Sequence, residues 1–313
     1  MLPHPEHGAA VPALRGTEIL AHLPGPLAAE VETVDWGLVP ASHLRFMQIL
    51  EIGRHIEDAA ARPDVHGIVV VQGTDVLEET AFAWDLLYRG DVPVAVVGAM
   101  RHAGDPDYDG PRNLEDAIAV AADPRLRGQG VVVVMAGLVL PADDVTKIDS
   151  QAVDTFQAPN EGALAHIVEG RLEILRERGP RRRLASPPSA AADGVALLTA
   201  VVATDGDLLR AAVAHGTPGI VVEATGMGNT DPDLLAAARE AMAGGIPVVL
   251  TTRCVSGGVA PAYGFPGGGR TWLEAGAIPA GTLSGPKARV ALALGLGAGL
   301  DRATLHDLIA DRA

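Results

Sequence analysis

Short β-branched runs, each followed by a helical pattern, constrain this chain more than any other feature. Gly67-Ile-Val-Val-Val71, Val92-Pro-Val-Ala-Val-Val97 and Gly130-Val-Val-Val-Val-Met135 are too short for helices and too uniformly apolar for strands with one wet face. They read as buried strands of a parallel sheet covered on both sides. Helical patterns at residues 42–60, 77–88 and 113–122 alternate with them, and Asp75 is the expected N-cap of the second. After residue 193 the alternation resumes, with strands at 195–202, 219–223 and 247–251 and helices at 205–215, 231–243, 287–300 and 302–311. No internal repeat is visible. The expected fold is α/β: a doubly wound, mostly parallel sheet domain over 1–175, a linker over 176–193 with the boundary near 185, and a smaller C-terminal α/β domain over 194–313.

The linker reading rests on a change of composition. Six arginines fall between Arg171 and Arg183, and an Ala-Ser-Pro-Pro-Ser run follows. A phosphate-binding tract is one account of them. A solvated interdomain segment is the favoured one.

Composition narrows the function classes. With 24 Lys+Arg against 39 Asp+Glu the net charge is −15, which disfavours nucleic acid or an anionic membrane as the main partner. Hydrophobic residues make up 48%, enough for a large core. One cysteine, Cys254, cannot pair within the chain, so a reducing cytoplasm suits it, and a small buried residue is its expected role. No apolar run reaches the ~20 residues of a spanning helix. The opening Met1-Leu-Pro-His-Pro-Glu-His7 has neither the basic nor the apolar stretch of a secretory leader and is expected not to be one.

The strongest chemical signal is Val71-Gln-Gly-Thr-Asp-Val-Leu-Glu-Glu-Thr-Ala81, where a strand gives way to a helix at the carboxyl edge of the sheet. Open α/β sheets bind ligands at that edge. Gly73 lets a substrate approach the backbone, and Thr74 offers a hydroxyl. A hydroxyl needs a base to attack, and Lys147, after the strand expected at 131–140, is placed to reach the same edge, with Asp75 orienting it. Both observations have plainer readings: Thr74-Asp75 as a helix cap, and Lys147 as a surface lysine.

Three other patterns carry less. Asp105-Pro-Asp-Tyr-Asp109-Gly110 opens like a calcium loop, but its twelfth position is Asp116 and a strand precedes it. Gly226-Met-Gly-Asn229 lacks the third glycine of a dinucleotide fingerprint, and Thr230-Asp231 after it reads as a cap. Arg253 beside Cys254 could lower the pKa of that thiol.

Taken together, Gln72-Gly-Thr-Asp-Val-Leu-Glu-Glu-Thr-Ala81, Gly98-Ala-Met-Arg101, Asp109-Gly-Pro-Arg-Asn-Leu114 and Lys147 with Asp154-Thr-Phe156 resemble the bacterial-type L-asparaginase/glutaminase family. So do Gly226-Met-Gly-Asn229, Thr252-Arg253, Gly276-Ala-Ile-Pro-Ala-Gly281 and Lys287-Ala-Arg289, in order, over about residues 12 to 300. The resemblance implies hydrolysis of the side-chain amide of asparagine, sometimes glutamine, with no cofactor and no metal. Thr74, Asp75 and Lys147 match the family's second catalytic group. Ser42 matches the serine that binds the substrate α-carboxylate, and His43 stands where glutamine is commoner. Asn229 and Tyr263 resemble residues that approach a neighbouring subunit's site, so a homodimer or homotetramer is expected.

One departure stands out. The family's first strand ends in Thr-Gly-Gly-Thr-Ile, and its first threonine is generally taken as the acylated nucleophile. Here no Thr-Gly-Gly occurs, and the first threonine is Thr17. Loss of an interior strand would leave two flanking strands with unpartnered amides and carbonyls, so the gene is expected to continue upstream of Met1. The alternatives are a non-catalytic amino-acid-binding homologue, or one repurposed for another amide or lactam.

Overall fold

The computed structural model describes residues 2–3, 10–11 and 13–310. Most of the opening heptapeptide, and the end of the helix expected at 302–311, lie outside them. The chain divides into two compact units, Met1–Arg181 and Arg182–Ala313.

The first unit is built on a six-stranded sheet in the order β8-β7-β4-β3-β2-β1. Its strands are β1 (Ile68–Val71), β2 (Val94–Val97), β3 (Val131–Met135), β4 (Leu138–Pro141), β7 (Ala165–Val168) and β8 (Arg171–Ile174). A separate two-stranded ribbon, β5 (Thr146–Lys147) with β6 (Phe156–Gln157), lies between them in sequence. The pairs β1–β2 and β2–β3 are parallel, in register Ile68↔Val94 and Val94↔Val131. Beyond β3 the sheet turns antiparallel. After a short helix at Gly16–Leu20, three longer helices accompany it: α1 (Phe46–Ala60), α2 (Leu77–Leu87) and α3 (Gly110–Ala122). The expected helix over 42–60 is in fact a 3-10 turn, Ala41–His43, followed by α1.

Three expectations need correction here. The strand expected at 131–140 is a hairpin. Ala136 and Gly137 take φ of 50° and 75°, the pair of positive values that a two-residue turn needs to match strand twist. A non-glycine residue pays sterically for such a φ, and a hydrogen bond from Ala136 N to Asn113 Oδ1, 3.0 Å, holds it there. Second, β1 is not covered like an interior strand. Among the described residues no strand pairs with its outer edge, and Val71 is 47% exposed. Because β1 and β2 pair directly, no gap separates these two strands.

Third, the arginine tract is not simply solvated. The Arg178 and Arg181 side chains are 2% and 3% exposed, and both engage Asp85 of α2. Arg178 bridges Asp85 and Asp143 at 2.7 Å each, and Arg181 Nε donates to Asp85 Oδ1 at 3.0 Å. Burial works against the charge of Arg178, but the two carboxylates outweigh it and hold its pKa above the ordinary value. Gly130, at φ 75°, permits this approach: a Cβ there would sit 2.2 Å from Arg181 and 2.4 Å from Asp85 Oδ1.

The second unit is a four-stranded parallel sheet in the order β9-β10-β11-β12: Ala196–Thr199, Ile220–Ala224, Val248–Thr252 and Ile278–Pro279. Helices α4 (Asp207–Ala214), α5 (Pro232–Ala243), α6 (Gly269–Ala275), α7 (Gly285–Gly297) and α8 (Arg302–Ile309) accompany it. Asp231 caps α5 by accepting from Asp233 N at 2.8 Å. Trp272, Leu250 and Val222 lie in a core of small and branched side chains.

One buried carboxyl gives a pH-dependent prediction. Asp116 of α3 is buried with Oδ2 unpartnered, and burial pushes its pKa up to about 6. A carboxyl raised in the folded state carries no penalty below its unfolded pKa. The penalty grows as pH rises through about 4 to 6 and is complete above. Asp116→Asn is therefore expected to stabilise the protein at pH 7.5 by about 1–2 kcal/mol, and hardly at pH 4. Urea midpoints at the two pH values check this; a gain independent of pH would refute it.

Candidate active site

Thr74 stands just past β1, whose last ladder contact is Gln72 N to Val97 O at 3.0 Å. Two glycines shape its seat. A Cβ on Gly98 would meet Gln72 O at 2.8 Å and Thr74 Cγ2 at 2.9 Å, so a glycine there lets the chain after β2 close against the threonine. A Cβ on Gly73 would lie 3.2 Å from Ala41 Cβ, which sets the Ala41–His43 turn against the same strand end. Ser42 and His43, both exposed, are the next two residues of that turn.

Lys147 arrives from the β5–β6 ribbon. Its Nζ donates to Thr74 Oγ1 at 3.0 Å and lies 3.9 Å from Asp75 Oδ1. The structure thus brings together the three residues expected to carry the chemistry. Lys147 is only 17% exposed while Asp75 is 65% exposed, so the ion pair is largely wet and adds little to stability. Asp75 is not the cap of α2. Val76 holds that position and makes no side-chain cap hydrogen bond, which leaves the aspartate facing the lysine.

The ribbon is fixed at several points. Phe156, opposite Lys147, is buried, and Ile148 N donates to Thr155 O at 3.0 Å. Next to it, Asp149 accepts from the N–H groups of Gln151 and Ala152, and these bonds hold its carboxyl below the usual range. Arg101 Nη1 donates to Gln151 O at 2.9 Å and so ties this loop to residues 101–109. In that loop the aspartates have other tasks than an ion. Asp109 accepts from Met100 N, Arg101 N and Asn113 Nδ2, Asp105 from His102 N, and Asp107 pairs with Arg101. Among the described residues no group of three or more His, Cys, Asp or Glu is arranged to hold a metal.

Sequence reasoning missed Asn113. Buried on α3, it donates to Gly98 O at 3.2 Å and accepts from Ala136 N, linking the segment under Thr74 to the β3–β4 hairpin. A polar residue on the inward face of an amphipathic helix was the available signal.

In the second unit, Gly226 and Gly228 at φ 53° and 109° form a tight turn closed by the Thr225↔Asn229 bridge. Asn229 Oδ1 accepts from Gly269 N at 3.3 Å. Tyr263 is exposed, with its ring 5.7 Å from that of Phe265. Cys254, expected to be buried, is exposed, because it follows β11 where the chain leaves the sheet.

Comparison with known proteins agrees with this architecture unit by unit. The family model "Asparaginase, N-terminal" matches residues 1–179, and "Glutaminase/Asparaginase C-terminal domain" matches residues 194–309. A relative from Deinococcus radiodurans named "Probable L-asparaginase" is 35% identical over 302 residues, covering 95% of this chain and 87% of its own. An "L-asparaginase" from Bacillus licheniformis is 29% identical over 287 residues, covering 91% and 88%. "L-asparaginase 2" of Escherichia coli is 35% identical over 243 residues, covering 74% and 66%. With both halves matched in order and similarity running through nearly the whole length, the chain belongs to the asparaginase family.

Proposed function

We propose that the chain is an L-asparaginase-type amidohydrolase, releasing ammonia from the side chain of asparagine to leave aspartate, with Thr74, Asp75 and Lys147 as its catalytic group. The observation that carries the proposal is the 3.0 Å contact of Lys147 Nζ with Thr74 Oγ1 at the carboxyl end of β1. In its uncharged form the amine takes the hydroxyl proton as Thr74 Oγ attacks the amide carbon. The same proton then passes to the leaving nitrogen as the C–N bond breaks, leaving a threonine ester. Water cleaves that ester, giving the carboxylic acid and restoring the hydroxyl. Asp75 orients the lysine. In this reading Ser42, on the turn against Gly73, holds the substrate α-carboxylate, with His43 next to it in the chain.

Ammonia release from asparagine and from glutamine by the purified full chain tests this reading. No Thr-Gly-Gly lies within the 313 residues, and that observation favours a second reading: an amino-acid-binding homologue, or one acting on another amide or lactam. Calorimetric binding of aspartate without turnover would identify the binder. Silence towards both amino acids would point to the other substrate.

The protein is further proposed to be at least a dimer, with Asn229 and Tyr263 approaching a neighbouring site. Supporting this, the second unit leaves Val202, Val255 and Phe265 exposed, Val202 at 96%. Light scattering at micromolar concentration is expected to give a multiple of 32.1 kDa; a homogeneous monomer would reject it. Among the described residues no helix is long and apolar enough to cross a membrane. The single cysteine supports a cytoplasmic location, although one relative, from Haemophilus influenzae, is named "Probable L-asparaginase periplasmic".

A further inference from the structure

Lys147 sits on a two-residue strand, too short to fix its own position. Its partner β6 lies on one side only, and the ladder bond next to Lys147 on that side comes from Ile148 N. The N–H of Lys147 points instead towards α2, where Glu78 Oε2 accepts it at 3.3 Å. Glu78 lies in the first turn of α2, four residues beyond Thr74. Besides the ion pair with Asp75, two hydrogen bonds therefore join the segment carrying the hydroxyl to the strand carrying the amine. One is the working contact, Nζ to Oγ1; the other is this backbone tie.

We infer that Glu78 is a positioning residue for the amide hydrolysis: by taking the backbone N–H of Lys147 it sets the reach of the amine to Thr74. The inference rests on the proposed amidase reading. A flexible lysine side chain needs a fixed root, because a displacement of about 1 Å at a proton-transfer contact is enough to cost about 100-fold. Glu78 supplies that root from the same helix turn that follows the threonine.

Two variants test this, each assayed beside the wild type for ammonia release. Glu78→Ala removes the acceptor and is expected to lower kcat by about 10- to 100-fold with KM nearly unchanged. Glu78→Gln keeps an acceptor oxygen of the same reach and is expected to restore most of the rate. Wild-type kcat in Glu78→Ala would overturn the inference. So would an equal loss in Glu78→Gln, which would trace the effect to the charge, or a rise in KM alone. Should the wild type itself release no ammonia, the amidase reading fails separately, and a crystal structure of Glu78→Ala then decides the positional claim. Lys147 Nζ still within hydrogen-bond distance of Thr74 Oγ1 would refute it, and separation of the two would sustain it.

Discussion

Thr74→Ala and Lys147→Met are each expected to cut ammonia release from asparagine by about 10²–10⁴-fold while the protein melts as before. Both side chains meet at one 3.0 Å contact, and each is useless to the proposed proton transfer without the other. The double variant should therefore lose little more than either single one. Folding is expected to survive because Lys147 is partly solvated and its ion pair with Asp75 is wet. Thr74→Val is the stricter control, since it keeps a methyl group against Gly98 and removes the hydroxyl alone. Steady-state rates and calorimetric melting on the same preparations check the pair. Wild-type turnover in either variant would remove these residues from the chemistry.

The largest effect on stability is expected at Asp85. This carboxylate is buried and accepts from Val131 N, Arg178 and Arg181. Asp85→Ala would leave two buried guanidinium groups short of their counter-charge, which costs about 3–5 kcal/mol. For a unit of this size that is a fall in melting temperature of about 10 °C. Removing a charge from both sides, as in Asp85→Ala with Arg178→Met, should cost less than the sum of the single changes. Urea denaturation of the four proteins measures the coupling. A loss under about 1 kcal/mol for Asp85→Ala would mean that water reaches the site.

Much of the fold was legible because strand faces are written into local sequence. Residues 92–97 and 130–135 begin one or two positions late as strands, for simple reasons. Pro93 has no N–H to donate, though its carbonyl accepts from Ile68 N, and Gly130 takes a φ that no strand allows. Edges are another matter. Ile-Val-Val-Val reads alike whether a neighbour lies on one side or two, so it could not be foreseen that no strand among the described residues pairs with the outer flank of β1. The hairpin at Ala136-Gly137 was hidden because alanine carries no turn signal and depends on Asn113 to hold it. Lys147 was picked out as reaching the right edge, but 73 positions separate it from Thr74, and no local pattern encodes such a contact. The roles of Ser42, His43, Asn229 and Tyr263 came from resemblance alone. Arg178 and Arg181 were misread because surrounding Pro and Ser suggest solvent, while their partner Asp85 lies 93 and 96 positions away.

That arrangement also decides where the first unit can be cut. Its last strand closes at Ile174, and a fragment ending there would keep every strand of the sheet. It would also hold Asp85 in the interior with both guanidinium partners deleted. A fragment carried through Arg181 keeps them. The usable end of this unit is thus set by an ion pair seven residues beyond its last strand, and expression of the two fragments side by side should yield soluble protein only from the longer.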